Sequence, residues 1–129
     1  MLGEYEMNNK FECGLLKYFN KDDLNKIRSV KIGIAGEGGL GSNCAMNLVR
    51  CGFDNFIIMD FDKIDASNLN RQFYFAEQIG MLKTEALKQN LKRINPDVKI
   101  EASKQSDVVL TYVLDDLPDK NGQVGIKNE

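Results

Sequence analysis

The chain has 129 residues and a mass of 14.6 kDa, with 43% apolar residues, 28% charged residues and a net charge of -2. These values suit one globular domain and argue against disorder over the whole length, and the balanced charge gives no reason to expect a nucleic-acid partner. Apolar runs such as Phe56–Met59 and Val108–Leu110 are too short to span a bilayer, and no basic-then-apolar leader opens the sequence, so a cytoplasmic chain without a membrane partner is expected.

Residues 1–28 form an expected helical lead-in. Phe11, Leu15, Leu16 and Phe19 make one apolar stripe at helical spacing. Asn20 is placed to cap a second helix over Asp22–Arg28, which carries acids early and bases late. Residues 29–102 read as alternating strand and helix. A short β-rich run over Val30–Ala35 leads into the loop Gly36-Glu37-Gly38-Gly39-Leu40-Gly41. Ser42 is expected to cap the following helix, in which Ala45, Leu48 and Val49 share a face and which Gly52 ends. Asn55–Asp60 is a second strand ending in an acid. After a polar stretch, Lys83–Ile94 is helical by period, Asn95-Pro96-Asp97 breaks it, and Val98–Ala102 is a third strand.

Strand–helix–strand–helix–strand is half of a doubly wound parallel sheet, so the expected fold is α/β and Rossmann-like with an incomplete second half. Residues 103–129 form a short C-terminal segment. There Leu110, Val113, Leu114 and Leu117 allow a helix capped by Ser106 or Asp107, although Val108, Val109 and Tyr112 favour a strand. The polar run from Pro118 reads as a frayed tail.

The sequence contains no histidine, and its three cysteines, Cys13, Cys44 and Cys51, form no C-x-x-C pair. A zinc site and a histidine-based catalytic dyad or triad are therefore not expected. Cys44 and Cys51 read as packing residues. Chemistry is left to carboxylates, Lys, Arg and backbone amides.

Gly36, Gly38 and Gly41 fit the pattern G-x-G-x-x-G directly after a strand and at the start of a helix. The first glycine permits the turn, the second lets phosphate approach the backbone, and the third lets helix and sheet pack closely. Free amides at the helix start then face the phosphates. Asp60, nineteen residues beyond Gly41, is placed to accept ribose hydroxyls. A tight glycine turn without a ligand is the plain alternative. NAD and ATP sites look alike to this point. The polar block from Asp60 to Gln72 and the Lys83 that opens the next helix favour a triphosphate: Arg71 offers a planar fork, Lys83 a point charge, and Asp62 a carboxylate for Mg²⁺.

At these residues the sequence resembles the ThiF/MoeB/HesA family, bacterial relatives of ubiquitin-activating enzymes, over roughly Ser29 to Glu101. The motifs are Gly36-x-Gly38-Gly39-Leu40-Gly41-Ser42, Asp60-x-Asp62, Ser67-Asn68-Leu69-Asn70-Arg71-Gln72, Gly80-x-x-Lys83 and Ile94-Asn95-Pro96. The chain looks most like short ThiF-like proteins without the zinc-binding C-terminal part.

The resemblance implies an adenylyltransferase that uses Mg·ATP to activate the C-terminal Gly-Gly carboxylate of a small sulfur carrier, ThiS-like or MoaD-like. It further implies a homodimer and a place in thiamine biosynthesis. By motif match Gly36, Gly38, Gly39 and Gly41 form the phosphate loop and Asp60 takes the ribose. Asn68, Arg71 and Lys83 bind the phosphates, with Arg71 and Lys83 neutralising developing charge, and Gln72 supports their placement.

Three features depart from the family pattern. Glu37 stands where the family has a small or apolar residue, and an acid beside a triphosphate repels it unless its side chain points away. Arg28, the only arginine before the glycine loop, has the wrong spacing for the family's N-terminal arginine. Only 27 residues follow Ala102, where the family has a fourth strand ending in an Mg·ATP-binding aspartate. Asp115 or Asp116 is a candidate for that aspartate; the favoured alternative reads Leu110–Lys120 as a later family helix, which implies an internal deletion. A catalytically inactive nucleotide- or carrier-binding remnant is therefore the second reading, and an NAD-binding Rossmann protein the third. The aromatic run Phe73-Tyr74-Phe75 is read as core and dimer-interface packing, with carrier docking as its alternative.

Overall fold

In a computed structural model, residues 9–103 are described. The expected helix or strand at 106–117, the polar tail and the candidate aspartates Asp115 and Asp116 lie outside them. Two short helices, α1 (Lys10–Leu15) and α2 (Lys21–Arg28), precede β1 (Ile32–Ala35), α3 (Gly39–Arg50), β2 (Asn55–Met59), α4 (Lys83–Ile94) and β3 (Lys99–Ser103). Two single 3-10 turns, Ala66–Asn68 and Ala76–Gln78, punctuate the long connection between β2 and α4. The three strands are parallel in the order β1-β2-β3.

The register explains where the core lies. Ile32, Phe56 and Ile100 align across the sheet, as do Ile34, Ile58 and Ala102. Side chains in a strand alternate between faces. Phe56 and Ile58 therefore share one face, and both are completely buried. Ala45 and Val49 of α3 and Ala86, Leu87 and Leu91 of α4 close over that face as one apolar cluster. At about 2 kcal/mol for each fully buried large aliphatic or aromatic side chain, these few residues dominate the burial energy.

The N-terminal helices pack at the opposite end of the sheet from the glycine loop. Asn20 caps α2 by accepting from the Asp23 amide at 2.8 Å, as its position in the sequence suggests. A Cβ placed on Gly52 would come within 3.2 Å of both Leu15 and Leu24, so the turn after α3 forms the seat for α1 and α2. Gly52 also has φ +106, which only glycine adopts easily. Arg28 pairs with Glu12 and, at 3.5 Å, with Asp54. Buried Asn9 donates to Asn95 at 2.8 Å and to Asp97 at 2.7 Å, tying the start of α1 to the turn before β3.

The helix Lys83–Ile94 has the bounds that its periodicity predicts. Other boundaries move. β1 starts at Ile32, because the Val30 amide is spent on the Ile27 carbonyl at the end of α2. β3 starts at Lys99, because the Val98 amide closes the turn on Asn95. β2 stops at Met59, one residue before Asp60.

The expectation that Ser42 caps α3 is corrected. Gly38 occupies the cap position, without a side-chain bond, and Ser42 sits a full turn inside the helix. The glycine motif thus supplies the first turn itself.

Candidate functional site

The glycine loop joins the C-terminal end of β1 to α3, and each glycine has its own geometric reason. Gly36 has φ +83, the left-handed conformation that lets the chain leave the strand. A Cβ on Gly41 would sit 1.7 Å from the Gly36 carbonyl oxygen, an impossible contact. A Cβ on Gly38 would lie 3.8 Å from the Gln72 side chain, and one on Gly39 would lie 3.7 Å from Arg71 Cγ, Cδ and Nε. Arg71 and Gln72 are thereby placed directly over the two middle glycines.

Three side chains hold consecutive loop carbonyls. The Tyr74 hydroxyl donates to Glu37 O at 2.6 Å, Ser42 Oγ donates to Gly38 O at 2.5 Å, and Asn43 Nδ2 donates to Gly39 O at 2.7 Å. In a trans peptide the N–H points opposite to its C=O. The amides of Gly38, Gly39 and Leu40 are therefore turned away from those three side chains. The first amides of a helix have no partner within the helix, so this loop presents free donors at the positive end of the α3 dipole.

The segment from Asn68 to Tyr74 is strapped between α3 and α4. The Phe73 amide donates to Ser42 Oγ at 3.0 Å. On the other side Asn90 Nδ2 donates to the Phe73 carbonyl at 2.9 Å, and Gln78 and Asn90 exchange side-chain hydrogen bonds at 2.7 and 3.0 Å. Asp65 and Asn68 form a reciprocal cap around the first 3-10 turn, in which Asn68 Oδ1 accepts from the Asp65 amide. The Asn68 carbonyl in turn accepts from the amides of Arg71 and Gln72.

Asp60 ends β2 beside the loop. One of its oxygens accepts from the Glu37 amide at 2.8 Å and the other from the Asp62 amide at 2.7 Å. Lys83 opens α4 with its amide on the Asp62 carbonyl at 2.9 Å, next to a single antiparallel bridge between Lys63 and Leu82. Lys83 is 7% exposed and its charge is felt at Glu37. The structure thus collects Gly36, Gly38, Gly39, Gly41, Asp60, Asp62, Asn68, Arg71, Gln72 and Lys83 at one end of the sheet through a continuous set of contacts.

Glu37 is the anomaly in this site. It is fully buried, and among the described residues no side chain or amide comes within hydrogen-bond geometry of either carboxylate oxygen. Burial pushes its carboxyl up to about 9, the nearby Asp60 charge adds to the rise, and the Met59 backbone and then Lys83 oppose it. Glu37 is therefore held neutral at pH 7, and its side chain adds no net negative charge to the loop. Burial also raises the Tyr74 hydroxyl, with Glu37 and Asp60 contributing, so that group remains a donor. Gln72 Oε1 is the other buried oxygen without a partner among the described residues.

Sequence reasoning passed over three residues at this site: Asn43, Ser42 in its bridging role, and Tyr74. Ser42 follows the glycine motif directly, which was a usable signal. Asn43 and Tyr74 carried none, because the Arg71 and Glu37 carbonyls that they reach are distant in sequence. Phe73 and Phe75 meet edge-on at 5.8 Å, and the Arg93 guanidinium lies 5.5 Å from the Phe75 ring centre. Cys44 is half-buried and Cys51 exposed. Arg28 is engaged at the far end of the sheet.

Among the described residues no three His, Cys, Asp or Glu side chains gather as a metal centre. Asp62 is exposed and its backbone lies between Asp60 and Lys83, which fits an ion that takes one protein carboxylate and draws its other ligands from phosphate and water. No described helix is long and apolar enough to cross a membrane.

A parallel α/β sheet with a glycine-rich turn between its first strand and helix defines a Rossmann-like fold. Residues 13–115 match the ThiF family, and the chain belongs to that family. It is similar to ubiquitin-like modifier-activating enzyme 5 of Oryza sativa subsp. japonica, with 43% identity over 81 residues, covering 63% of this chain and 19% of the relative. The same enzyme of Gallus gallus is 42% identical over 79 residues, covering 61% of this chain and 20% of the relative. The chain thus spans about a fifth of the length of these relatives.

Among solved structures it is similar to E. coli tRNA N6-threonylcarbamoyladenosine dehydratase, TcdA, in complex with ATP. That match has a TM-score of 0.66 and 26% identity, and covers 72% of this chain and 39% of that one. E. coli MccB with ATP gives a TM-score of 0.61 and 30% identity over 64% of this chain and 25% of that one.

Proposed function

We propose that this chain binds ATP at the glycine loop and supplies the nucleotide site of an adenylyltransferase acting on the C-terminal carboxylate of a small carrier protein. The observation that carries this reading is the seating of Arg71 over Gly39, beside amides turned outward by the bonds to the Glu37, Gly38 and Gly39 carbonyls. Support comes from relatives named as ubiquitin-like modifier-activating enzymes and from the ATP complexes of TcdA and MccB. The finer reading is a sulfur carrier ending in Gly-Gly, ThiS-like or MoaD-like, in thiamine biosynthesis, with a cytoplasmic homodimer as the working form.

In this reading a carboxylate oxygen of the carrier attacks the α-phosphorus. A new P–O bond forms, the bond to the bridging oxygen breaks, and pyrophosphate leaves with its electron pair. The outward amides of Gly38, Gly39 and Leu40 orient the phosphates. Arg71 and Lys83 neutralise charge as it moves toward the leaving pyrophosphate, and Asn68 completes the phosphate contacts. Asp60 takes the ribose, and Gln72, next to Arg71, supports the strap. Asp62 is the residue that would hold Mg²⁺, and the ion would supply further charge neutralisation when bound.

A nucleotide-binding chain without catalysis is a second reading, favoured by Arg28, which is engaged with Glu12 and Asp54 away from the glycine loop. ATP–pyrophosphate exchange with a purified sulfur carrier ending in Gly-Gly separates the two. Exchange that is lost in Arg71→Ala supports adenylation. ATP binding without exchange sinks the enzyme reading.

A further inference from the structure

Asn43 belongs to none of the motifs that carry the family resemblance, yet it touches both halves of the site. It lies on α3 four residues after Gly39. Its side-chain nitrogen donates to Gly39 O at 2.7 Å and to Arg71 O at 2.7 Å. A primary amide carries two N–H donors, so one nitrogen can serve both carbonyls at once. Among the described residues, Asn43 is the hydrogen-bond donor to the Arg71 carbonyl; no strand or helix satisfies it.

The Arg71 side chain runs from that anchored backbone across Gly39. Its guanidinium Nη1 reaches back to Asn70 Oδ1 at 2.9 Å and Ser67 O at 3.4 Å. These two contacts are exposed, one within the strap and one to the residue just before it. They cannot set the distance between the strap and the glycine loop. Ser42 and Asn90 hold the strap at Phe73, two residues further on. Among the described residues, Asn43 is the side chain that hydrogen-bonds to both residue 71 and residue 39.

We propose that Asn43 is a positioning residue that fixes the root of Arg71 over the glycine loop and so sets where its guanidinium meets a nucleotide phosphate. This role rests on the reading of Arg71 as a phosphate ligand. The side chain must donate in two directions. Aspartate has the same shape but sets acceptors against two carbonyls. Serine can return a single donor to the carbonyl one turn back and is too short for Arg71 O.

The test is a double-mutant cycle on the full chain, read as the dissociation constant for Mg·ATP by calorimetry, with thermal unfolding of each variant measured alongside. Asn43→Ala is expected to weaken binding about fivefold, the scale of one lost hydrogen bond. In the Arg71→Ala background the same change should have less than about a twofold effect, because its route to the nucleotide is gone. An equal factor in both backgrounds overturns the proposal, since Asn43 would then act on the loop alone.

Asn43→Ser keeps the bond within the helix and guards against a folding defect. It should match Asn43→Ala in binding, and wild-type affinity in Asn43→Ser overturns the proposal. Failure of the wild type to bind Mg·ATP overturns the nucleotide reading and this role with it. Wild-type binding with equal factors overturns this role alone.

Discussion

The Tyr74 hydroxyl reaches the backbone carbonyl of Glu37 across 37 positions of sequence, in a buried contact of 2.6 Å. This bond joins the strap to the second residue of the glycine loop and fixes the peptide plane that aims the Gly38 amide outward. Tyr74→Phe removes the donor and little else, leaving a buried carbonyl without this partner. A stability loss of about 1–2 kcal/mol is expected in urea unfolding, together with weaker Mg·ATP binding. Unchanged stability would show that the carbonyl finds another donor.

Glu37 makes stability depend on pH in a definite direction. Its folded value is about 9 against an ordinary 4.5, so between these values the folded chain holds a proton that the unfolded chain has released. Stability from this group is therefore complete below pH 4.5 and falls as pH rises toward 9. By pH 7 the loss is about 3 kcal/mol. Glu37→Gln cannot titrate, so the difference in unfolding free energy between variant and wild type should grow in the variant's favour from pH 5 to pH 8. A constant difference over that range would rule out a buried, neutral Glu37.

The three later glycines of the loop are not equivalent. Gly41→Ala drives a Cβ into the Gly36 carbonyl, backbone against backbone, and is expected to cost about 3 kcal/mol or more or to prevent folding. Gly38→Ala and Gly39→Ala meet only ordinary contacts and should stay folded. The reverse ranking in thermal unfolding would contradict the loop geometry.

Arg28 links α1, α2 and the turn before β2 through Glu12 and Asp54. Its side chain is 33% exposed, so the ion pairs are partly screened, and Arg28→Ala should cost only about 1 kcal/mol. The local effect should be larger: amide exchange in α1 and α2 should quicken while α4 keeps its protection. Uniform quickening would mean that the N-terminal helices and the sheet open together.

The elements were legible where one local rule governed them. Asn20 caps α2 and Gly52 ends α3, because a capping side chain and a left-handed turn are local events. Helix α4 kept its bounds because its apolar positions recur strictly, from Ala86 and Leu87 to Leu91. Ser42 was misplaced because the motif's own glycines start the helix, leaving the hydroxyl free to bridge to Phe73. The glycine loop, Asp60, Arg71 and Lys83 were legible as a group from order and spacing. Their mutual geometry was not, since it depends on Asn43, Ser42, Tyr74 and Asn90 reaching carbonyls and amides far along the chain. Glu37 was visible as an unusual residue, but its neutrality follows from burial, which no spacing reports.

The seat formed by the turn at Gly52 also has a practical consequence. Helix α3 has 12 residues, so its exposed C-terminal Cys51 stands about 18 Å from the glycine loop, at the other end of the sheet. Cys44, on the same helix, is less reactive because burial raises its thiol. A maleimide dye or a surface linker would therefore be directed to Cys51 in preference to Cys44. A molecule held through Cys51 would keep the glycine-loop end of α3 away from the linker.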